Sequence, residues 1–294
     1  MELKQLARYP FLKVASEYVR ANSVSLEELL GNGAFEPARR RGYQRVLDAL
    51  NGANVTRGGV SAEEHAVLNE VLSYPVARIL VSCIADDFLI RRYAIAESKM
   101  MNDQLRTDDV PVLMEVAEDL GVSAHLEGDQ LGMHFCDFLR YTAAIRGKDW
   151  KLINQEVREG FIQLKKDKFA RVLEQALNER IENDLPLPVS DEVMRSMAPE
   201  VERLMALVVE MREKFRANDF GQISVTKFPP CMKALLTMAE KGQNMPHAGR
   251  FALVTFLGTL GMSKAEIAGT FYTSPDFDKS KTEYQVEHII GDGP

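Results

Sequence analysis

The sequence predicts a mostly α-helical protein of two domains, with a minor β contribution in its middle region. Three observations carry this. Apolar residues recur at helical spacing through most of the chain, as in Tyr43, Val46, Leu47 and Leu50. Helix-start signals accompany them: Ser25 and Glu28 have capping-box spacing, as do Ser61 and Glu64. The length of 294 residues, 46% of them hydrophobic, suffices for two cores.

From the N-terminus, residues 1–102 read as short helices. Tyr9-Pro-Phe-Leu12 opens a segment running to about Val19, and Glu36-Pro37 starts another. Arg39, Arg40, Arg41 and Arg45 ride on that second helix. Neighbouring residues on a helix stand about 100° apart, so three consecutive arginines cannot share one face. One or two are expected to turn inward and pair; the alternatives are a solvated face or a nucleic-acid contact. The helix signalled by Ser61 continues through His65, Leu68 and Val71. Residues 74–100 are the strongest core candidate, with Val76, Ile79, Leu80 and Cys83 on one helix and Phe88, Leu89, Tyr93, Ala94 and Ala96 on a second. Asp87 and Arg91, four apart, are spaced for an ion pair.

The character changes after residue 105. A short helix over 111–120 is closed by Gly121. Segment 131–140, read as helical, holds His134 and Cys136; residues two apart diverge on a helix, so these two make no metal site. Phe161-Ile-Gln-Leu164 suits a short strand or a turn. A helix over 168–181 buries Phe169, Val172, Leu173, Ala176 and Leu177. The clearest break spans 182–189, with Pro186 and Pro188. A long helix over 199–216 follows, then a possible strand, Ile223-Ser-Val-Thr226.

The stretch 229–290 carries the chemistry. Pro229 and Pro230 precede Cys231 at an expected helix start, where the helix dipole favours a thiolate and hence a metal or cluster ligand; a small buried thiol is the plainer alternative. His247 and Arg250 flank the start of an apolar helix. An imidazole and a guanidinium there can grip phosphate, or simply cap the helix. Tyr272, Phe277, Lys279, Lys281 and Tyr284 interleave aromatic rings with lysines, a pattern that suits stacking on bases with phosphate contact, or a loop tying rings into the core.

Composition narrows the classes. A net charge of −7 argues against a broadly basic surface without excluding a local groove. Three cysteines without a pairing pattern fit a reducing, cytoplasmic setting. No run of 18 uncharged apolar residues suggests a membrane span. Neither a phosphate-binding loop of the GxxxxGK[ST] type nor an HExxH motif occurs. Asp276 and Asp278 superficially resemble paired carboxylates of a two-metal nucleotidyl transferase, but no third acid accompanies them and Pro275 favours a turn.

The segments PPCMKAL, MPHAGRFAL, SPDFD and YQVEHIIG, in this order, resemble the C-terminal domain of the large, non-catalytic subunit of archaeal and eukaryotic DNA primase, on the archaeal side. Upstream, Tyr74, Pro75, Ala77 and Arg78, then Arg92, Tyr93, Ala94, Ala96 and Glu97, resemble two helices of that family's N-terminal domain. The likeness therefore runs along most of the chain. It implies a domain over 1–215 that docks the catalytic small subunit and a portion of an iron–sulfur domain over 216–294. It places Cys231 as the first of four ligands of a 4Fe-4S cluster, and matches His247, Gly249, Arg250 and Tyr284 to family positions. The family's other three cysteines fall beyond the last residue here. The resemblance thus implies either a truncated chain, with an incomplete C-terminal domain and a cluster present in the full-length protein but absent from this chain, or a divergent member that has lost the cluster; truncation is the favoured of the two.

Three function classes follow. The first is a heterodimeric, non-enzymatic replication subunit that assists initiation of RNA primers on single-stranded DNA. In it, His247, Arg250, Lys279 and Tyr284 contact template or initiating nucleotides. The second is a self-sufficient metal-dependent nucleotidyl transferase using Asp276 and Asp278. The third is a helical protein-interaction scaffold. The resemblance favours the first.

Overall fold

A computed structural model describes residues 3–52, 63–128, 130–145, 147–216, 225–273 and 277–291. The chain is mostly helical with one small sheet. It opens with α1 (Leu3–Arg8), α2 (Lys13–Ala21), α3 (Leu26–Gly31) and α4 (Glu36–Leu50). The expected capping box forms at α3, where Ser25 accepts from the Glu28 N–H and the Glu28 side chain accepts from the Ser25 N–H. Pro37 sits in the first turn of α4, where its missing N–H costs nothing.

Two long helices follow, α5 (Glu64–Ile84) and α6 (Asp87–Leu105). Ser61 lies outside the described residues, and the residue that precedes the first turn of α5 is Glu63. Sequence signals separate residues 64–71 from 74–84, yet α5 runs through Pro75 without a break. An interior proline normally costs about 3 kcal/mol. Here Val71, Leu72, Val76, Ala77 and Leu80 are all buried around it, and packing outweighs the local cost. By length and composition α5 is apolar enough to cross a bilayer. Its charged residues Glu70 and Arg78 are instead engaged in ion pairs within the fold. Ala85, at φ 51°, turns the chain, and Asp86 caps α6 by accepting from the Phe88 and Leu89 N–H groups.

The α4–α5 contact is close because Gly42 allows it. A Cβ at that position would stand 2.6 Å from Val76 Cγ1 and 2.8 Å from the Ser73 carbonyl oxygen. One turn further on, Arg45 is fully buried and donates from Nε and Nη2 to both oxygens of Glu97, at 2.8 and 2.6 Å. Its Nη1 reaches Glu70 at 3.0 Å, and Arg41 holds the same carboxylate from outside at 2.9 Å. Arg39 in turn donates to the Leu29 and Asn32 carbonyls, both at 2.8 Å, so three of the four clustered arginines are engaged in the fold and Arg40 is exposed. Burial opposes the charge on Arg45. Glu97, with smaller help from Tyr93 and Glu70, more than offsets it, so the guanidinium is held protonated above its ordinary range. Asp87 and Arg91 do not pair among the described residues. Asp87 opens α6, and Arg91 acts electrostatically on Glu182.

The middle region holds α7 (Val110–Asp119), β1 (Ala124–Glu127), β2 (Gln130–His134), α8 (Phe135–Thr142), β3 (Val157–Arg158) and β4 (Phe161–Leu164). All pairings are antiparallel, in the order β1-β2-β4-β3. Leu131 pairs Leu164 and Met133 pairs Ile162; all four are buried. Segment 131–140 is thus half strand and half helix, contrary to the helical expectation. His134 ends β2 and caps α8 by accepting from the Cys136 N–H.

Helix α9 (Lys166–Asp184) packs on α6. The expected break at 182–189 begins as the last turn of α9 and is a loop only from Leu185, and it does not separate two cores. Leu187 and Val193 pack on the first core, and the Leu187 N–H donates to Ser82 Oγ at 2.9 Å. After α10 (Asp191–Ser196) and α11 (Ala198–Arg216), the first core ends at Met211. A second, separate core begins at Phe228. It is built by α12 (Pro230–Glu240), α13 (His247–Thr259), α14 (Lys264–Thr270) and α15 (Lys279–Ile290). The anticipated strand at 223–226 is not formed in its described part, where Val225–Lys227 is a 3-10 turn; residues 223 and 224 lie outside the described set.

Removing one member of a buried ion pair typically costs about 3–5 kcal/mol, whereas replacing both members with apolar groups costs little. Glu97→Ala should therefore lower unfolding stability by that amount in urea titrations, and the double variant Arg45→Met/Glu97→Leu should recover most of it. A loss below about 1 kcal/mol for Glu97→Ala would contradict the role given to this pair.

Candidate nucleotide-binding cleft

Cys231, His247, Arg250, Lys279 and Tyr284 all lie among the described residues. Cys231 is the second residue of α12, behind Pro229 and Pro230, and its thiol is exposed. His247 is the first residue of α13 and is exposed; Arg250, one turn on, is half-buried. Asp278 caps α15, accepting from the Lys281 N–H at 3.1 Å and the Ser280 hydroxyl at 2.8 Å. These bonds, led by the Lys281 N–H, lower its carboxyl to about 2. Lys281 also approaches Asp278 at 3.3 Å, and Lys279 lies 4.0 Å from Glu283. Tyr284 is exposed, its ring stacked on His288 with centroids 6.1 Å apart and planes 6° from parallel.

The two cores meet through Arg92 of α6. This buried guanidinium donates to the Ala49 carbonyl at 3.0 Å and to the Tyr272 carbonyl at 3.3 Å. Gly52, at φ 71°, leaves room for it; a Cβ there would stand 2.6 Å from Arg92 Nη2. Phe88 packs against the turn at Gly242, and Tyr272 packs on the first core.

Beside this junction lies a cleft of about 680 Å³, within the range usual for small-molecule sites. From the first core it is lined by the end of α4, by Lys99, Asn102 and Asp103 on α6, and by Arg171 and Glu174 on α9. From the second core come Arg250, Phe277, Asp278, Lys279, Lys281 and Gln285. Five cationic side chains thus face three carboxylates, in a chain whose net charge is −7. Glu174 is itself paired with Arg171, and Asp278 with its helix terminus. Phe277 adds a ring, tilted against Tyr272 with centroids 5.2 Å apart.

The structure therefore brings Arg250 and Lys279 together, with Lys281 and Phe277. His247 lines a smaller hollow of about 20 Å³ that shares Arg250, Phe277 and Gln285 with the cleft. Cys231 and Tyr284 do not line it. Lys99, Asn102 and Arg171 escaped the sequence reading. No local sequence signal marks them, because α6, α9 and the second core are brought together only by the tertiary fold.

Asp276 lies outside the described residues, and the Asp278 carboxylate is turned to the start of α15. No group of three or more His, Cys, Asp or Glu side chains suited to a metal occurs among the described residues. A 4Fe-4S cluster takes four thiolates. This chain has three cysteines, placed on α5, α8 and α12, and they do not fit that donor set.

The molecule is thus a helical protein of two cores with a cleft, lined by five cationic and three acidic side chains, at their junction. Residues 7–193 match the family described as eukaryotic and archaeal DNA primase, large subunit N-terminal domain, and residues 221–294 match the corresponding C-terminal domain. The DNA primase large subunit PriL of Methanosarcina acetivorans is 43% identical over 292 residues, covering 99% of this chain and 78% of the relative. The PriL of Methanosarcina mazei is 41% identical over the same shares, and that of Haloarcula marismortui 32%, over 97% and 81%. The chain belongs to the DNA primase large subunit family.

The scattered cysteines lead to a direct expectation. Purified anaerobically, this chain should hold far fewer than four irons and four sulfides per molecule and lack broad cluster absorption in the visible. Near-stoichiometric iron and sulfide would require Cys83, Cys136 or outside ligands to join Cys231.

Proposed function

We propose that this chain acts as the non-catalytic large subunit of a DNA primase. Its first unit, residues 1–215, docks the catalytic small subunit. Its second unit, 216–294, helps hold template and initiating nucleotide while the partner, which supplies the catalytic carboxylates and metals, forms the first bond of an RNA primer. Cys231 stands at the position of one 4Fe-4S ligand in the family that the chain resembles, and a cluster there needs three further thiolates. The observation that carries this reading is the convergence of Arg250, Lys279 and Lys281 on one cleft. Arg presents a planar, permanently charged fork matched to phosphate, and Lys a flexible point charge.

Docking has its own support. Large exposed apolar residues occur around the sheet: Leu126 on β1 at one edge, Val157 on β3 at the other, Leu139 on α8, and Ile153 in the turn between α8 and β3, the last 89% exposed. Such exposure suits a surface that another chain covers. Ile153→Asp should weaken capture of the catalytic subunit by about tenfold or more in a pull-down, while the chain stays folded by circular dichroism. Undiminished capture would move the docking surface elsewhere.

Arg250 distinguishes initiation from extension. In the complete heterodimer, with cluster content checked, Arg250→Ala should reduce dinucleotide formation by about tenfold or more while extension of a pre-formed primer suffers much less. The wild-type advantage should shrink at high salt, where phosphate contacts are screened. Equal loss of both activities, or unchanged initiation, would remove Arg250 from the phosphate-contacting role.

A further inference from the structure

The junction between the two units is built from both sides. The Arg92 guanidinium of α6, 3% exposed, donates from Nε to the Ala49 carbonyl of the first unit and from Nη1 to the Tyr272 carbonyl of the second. Its central carbon lies 5.5 Å from the centroid of the Phe88 ring, so the side chain is stacked as well as bonded. Both acceptors are held in place within their own units. Ala49 belongs to the last turn of α4. The turn that presents Tyr272 is fixed by Thr273, whose buried hydroxyl donates to the Ala239 carbonyl at 2.6 Å. Two glycines complete the fit. At Gly52 a Cβ would stand 2.6 Å from Arg92 Nη2 and 3.6 Å from the Phe277 carbonyl oxygen of the second unit. At Gly242, φ 61°, it would stand 2.8 Å from Phe88 Cδ2 of the first. Left-handed backbone favours glycine at both positions, and at both the space that a side chain would take is filled by the junction.

We propose that Arg92 is a positioning residue for primer initiation: it docks the second unit on the first, so that the second unit stands at a set place relative to a catalytic partner held by the first. This rests on the reading of the second unit as the part that holds template and initiating nucleotide, and it names the residue that sets where that unit stands. Arg92 touches no ligand in this role. A unit joined only through the chain samples many orientations, and the order needed for the first bond must then be found at each encounter; a docked unit supplies that order in advance. Extension of a pre-formed primer depends on it less, because base pairing already holds the primer end on the template. Two carbonyl bonds from one guanidinium suit the task better than apolar contact alone, since a planar donor fork fixes orientation as well as distance.

A distance measurement between the units tests the docking. Cys136 of α8 and Cys231 of α12 are both exposed, one in each unit, and can carry spin labels in a Cys83→Ala chain. Pulsed electron resonance should give one narrow distance distribution when the junction is otherwise wild type. Arg92→Met and Gly52→Ala should each broaden it, with helical content by circular dichroism retained; Arg92→Lys, which keeps the charge but not the fork, should broaden it less. Gly52→Ala carries the test if Arg92→Met fails to fold, because it leaves the guanidinium in the chain and only fills the space beside it. In the complete heterodimer Arg92→Met should lower dinucleotide formation by about tenfold, the effect of losing one charge-assisted hydrogen bond, while capture of the catalytic subunit and extension of a pre-formed primer stay near wild type. Equal loss of all three would mean a weakened first unit and would overturn the positioning role, as would unchanged initiation beside a broadened distribution. A broad distribution with the wild-type junction, or a narrow one in both folded variants, would overturn the docking itself. The distance measurement needs no partner, so the docking stands or falls separately from the subunit reading.

Discussion

A single buried guanidinium orders the first unit. Arg45 sits on α4 and joins Glu70 of α5 to Glu97 of α6, so three helices share one charge network. Its full burial means that water cannot replace either partner. Misplacing any one of these helices would strand a charge in the core, at a cost of several kcal/mol. Apolar packing alone tolerates sliding and repacking, whereas a bidentate Arg–carboxylate contact fixes register. The ring of Tyr74 lies between Arg45 and Arg78, with the guanidinium carbons 5.7 and 5.6 Å from its centroid. Burial raises the Tyr74 phenol to about 12, with the neighbouring arginines pulling the other way.

The register of α6 then governs the junction with the second unit. Arg92 lies five residues before Glu97 on the same helix, and Lys99 two residues after it. With α6 fixed, Arg92 meets the Ala49 and Tyr272 carbonyls, and Lys99 looks into the cleft. Core electrostatics and a candidate ligand site are thus coupled through one rigid element. The coupling is geometric: it sets where side chains stand, and it needs no motion to act.

Much of the fold was legible because local rules and tertiary structure agree. Ser25 and Glu28 form their capping box, Pro37 opens α4, and the arginine cluster turns Arg41 and Arg45 onto α5 and α6 while Arg39 bonds to the Leu29 and Asn32 carbonyls. Phe161 to Leu164 is a strand. The failures share a physical origin in long-range packing. The segments 64–71 and 74–84 read as separate, but buried neighbours on both sides of Pro75 carry one helix through. Pro186 and Pro188 signal a boundary, but Leu187 is tied back by Ser82. His134 and Cys136 read as helical because the short apolar run 131–135 has no period of its own. At the candidate site, Arg250 and Lys279 were visible from local pattern and family likeness. Lys99 and Arg171 were not, since nothing local relates residues brought together by two separate cores.

The chain's place in the primase large subunit family rests on matches covering both units, and the cleft gives that membership a physical expression. Basic side chains converge where the units meet, and the one acidic candidate with a described position, Asp278, is consumed as a helix cap. Under the proposed function, ligand positioning falls to this chain and bond formation to its partner. The most direct measurement is dinucleotide synthesis by the purified chain alone, on single-stranded DNA with nucleoside triphosphates and magnesium or manganese. The account predicts no product above a protein-free control. A template-dependent dinucleotide made without the catalytic subunit would contradict it.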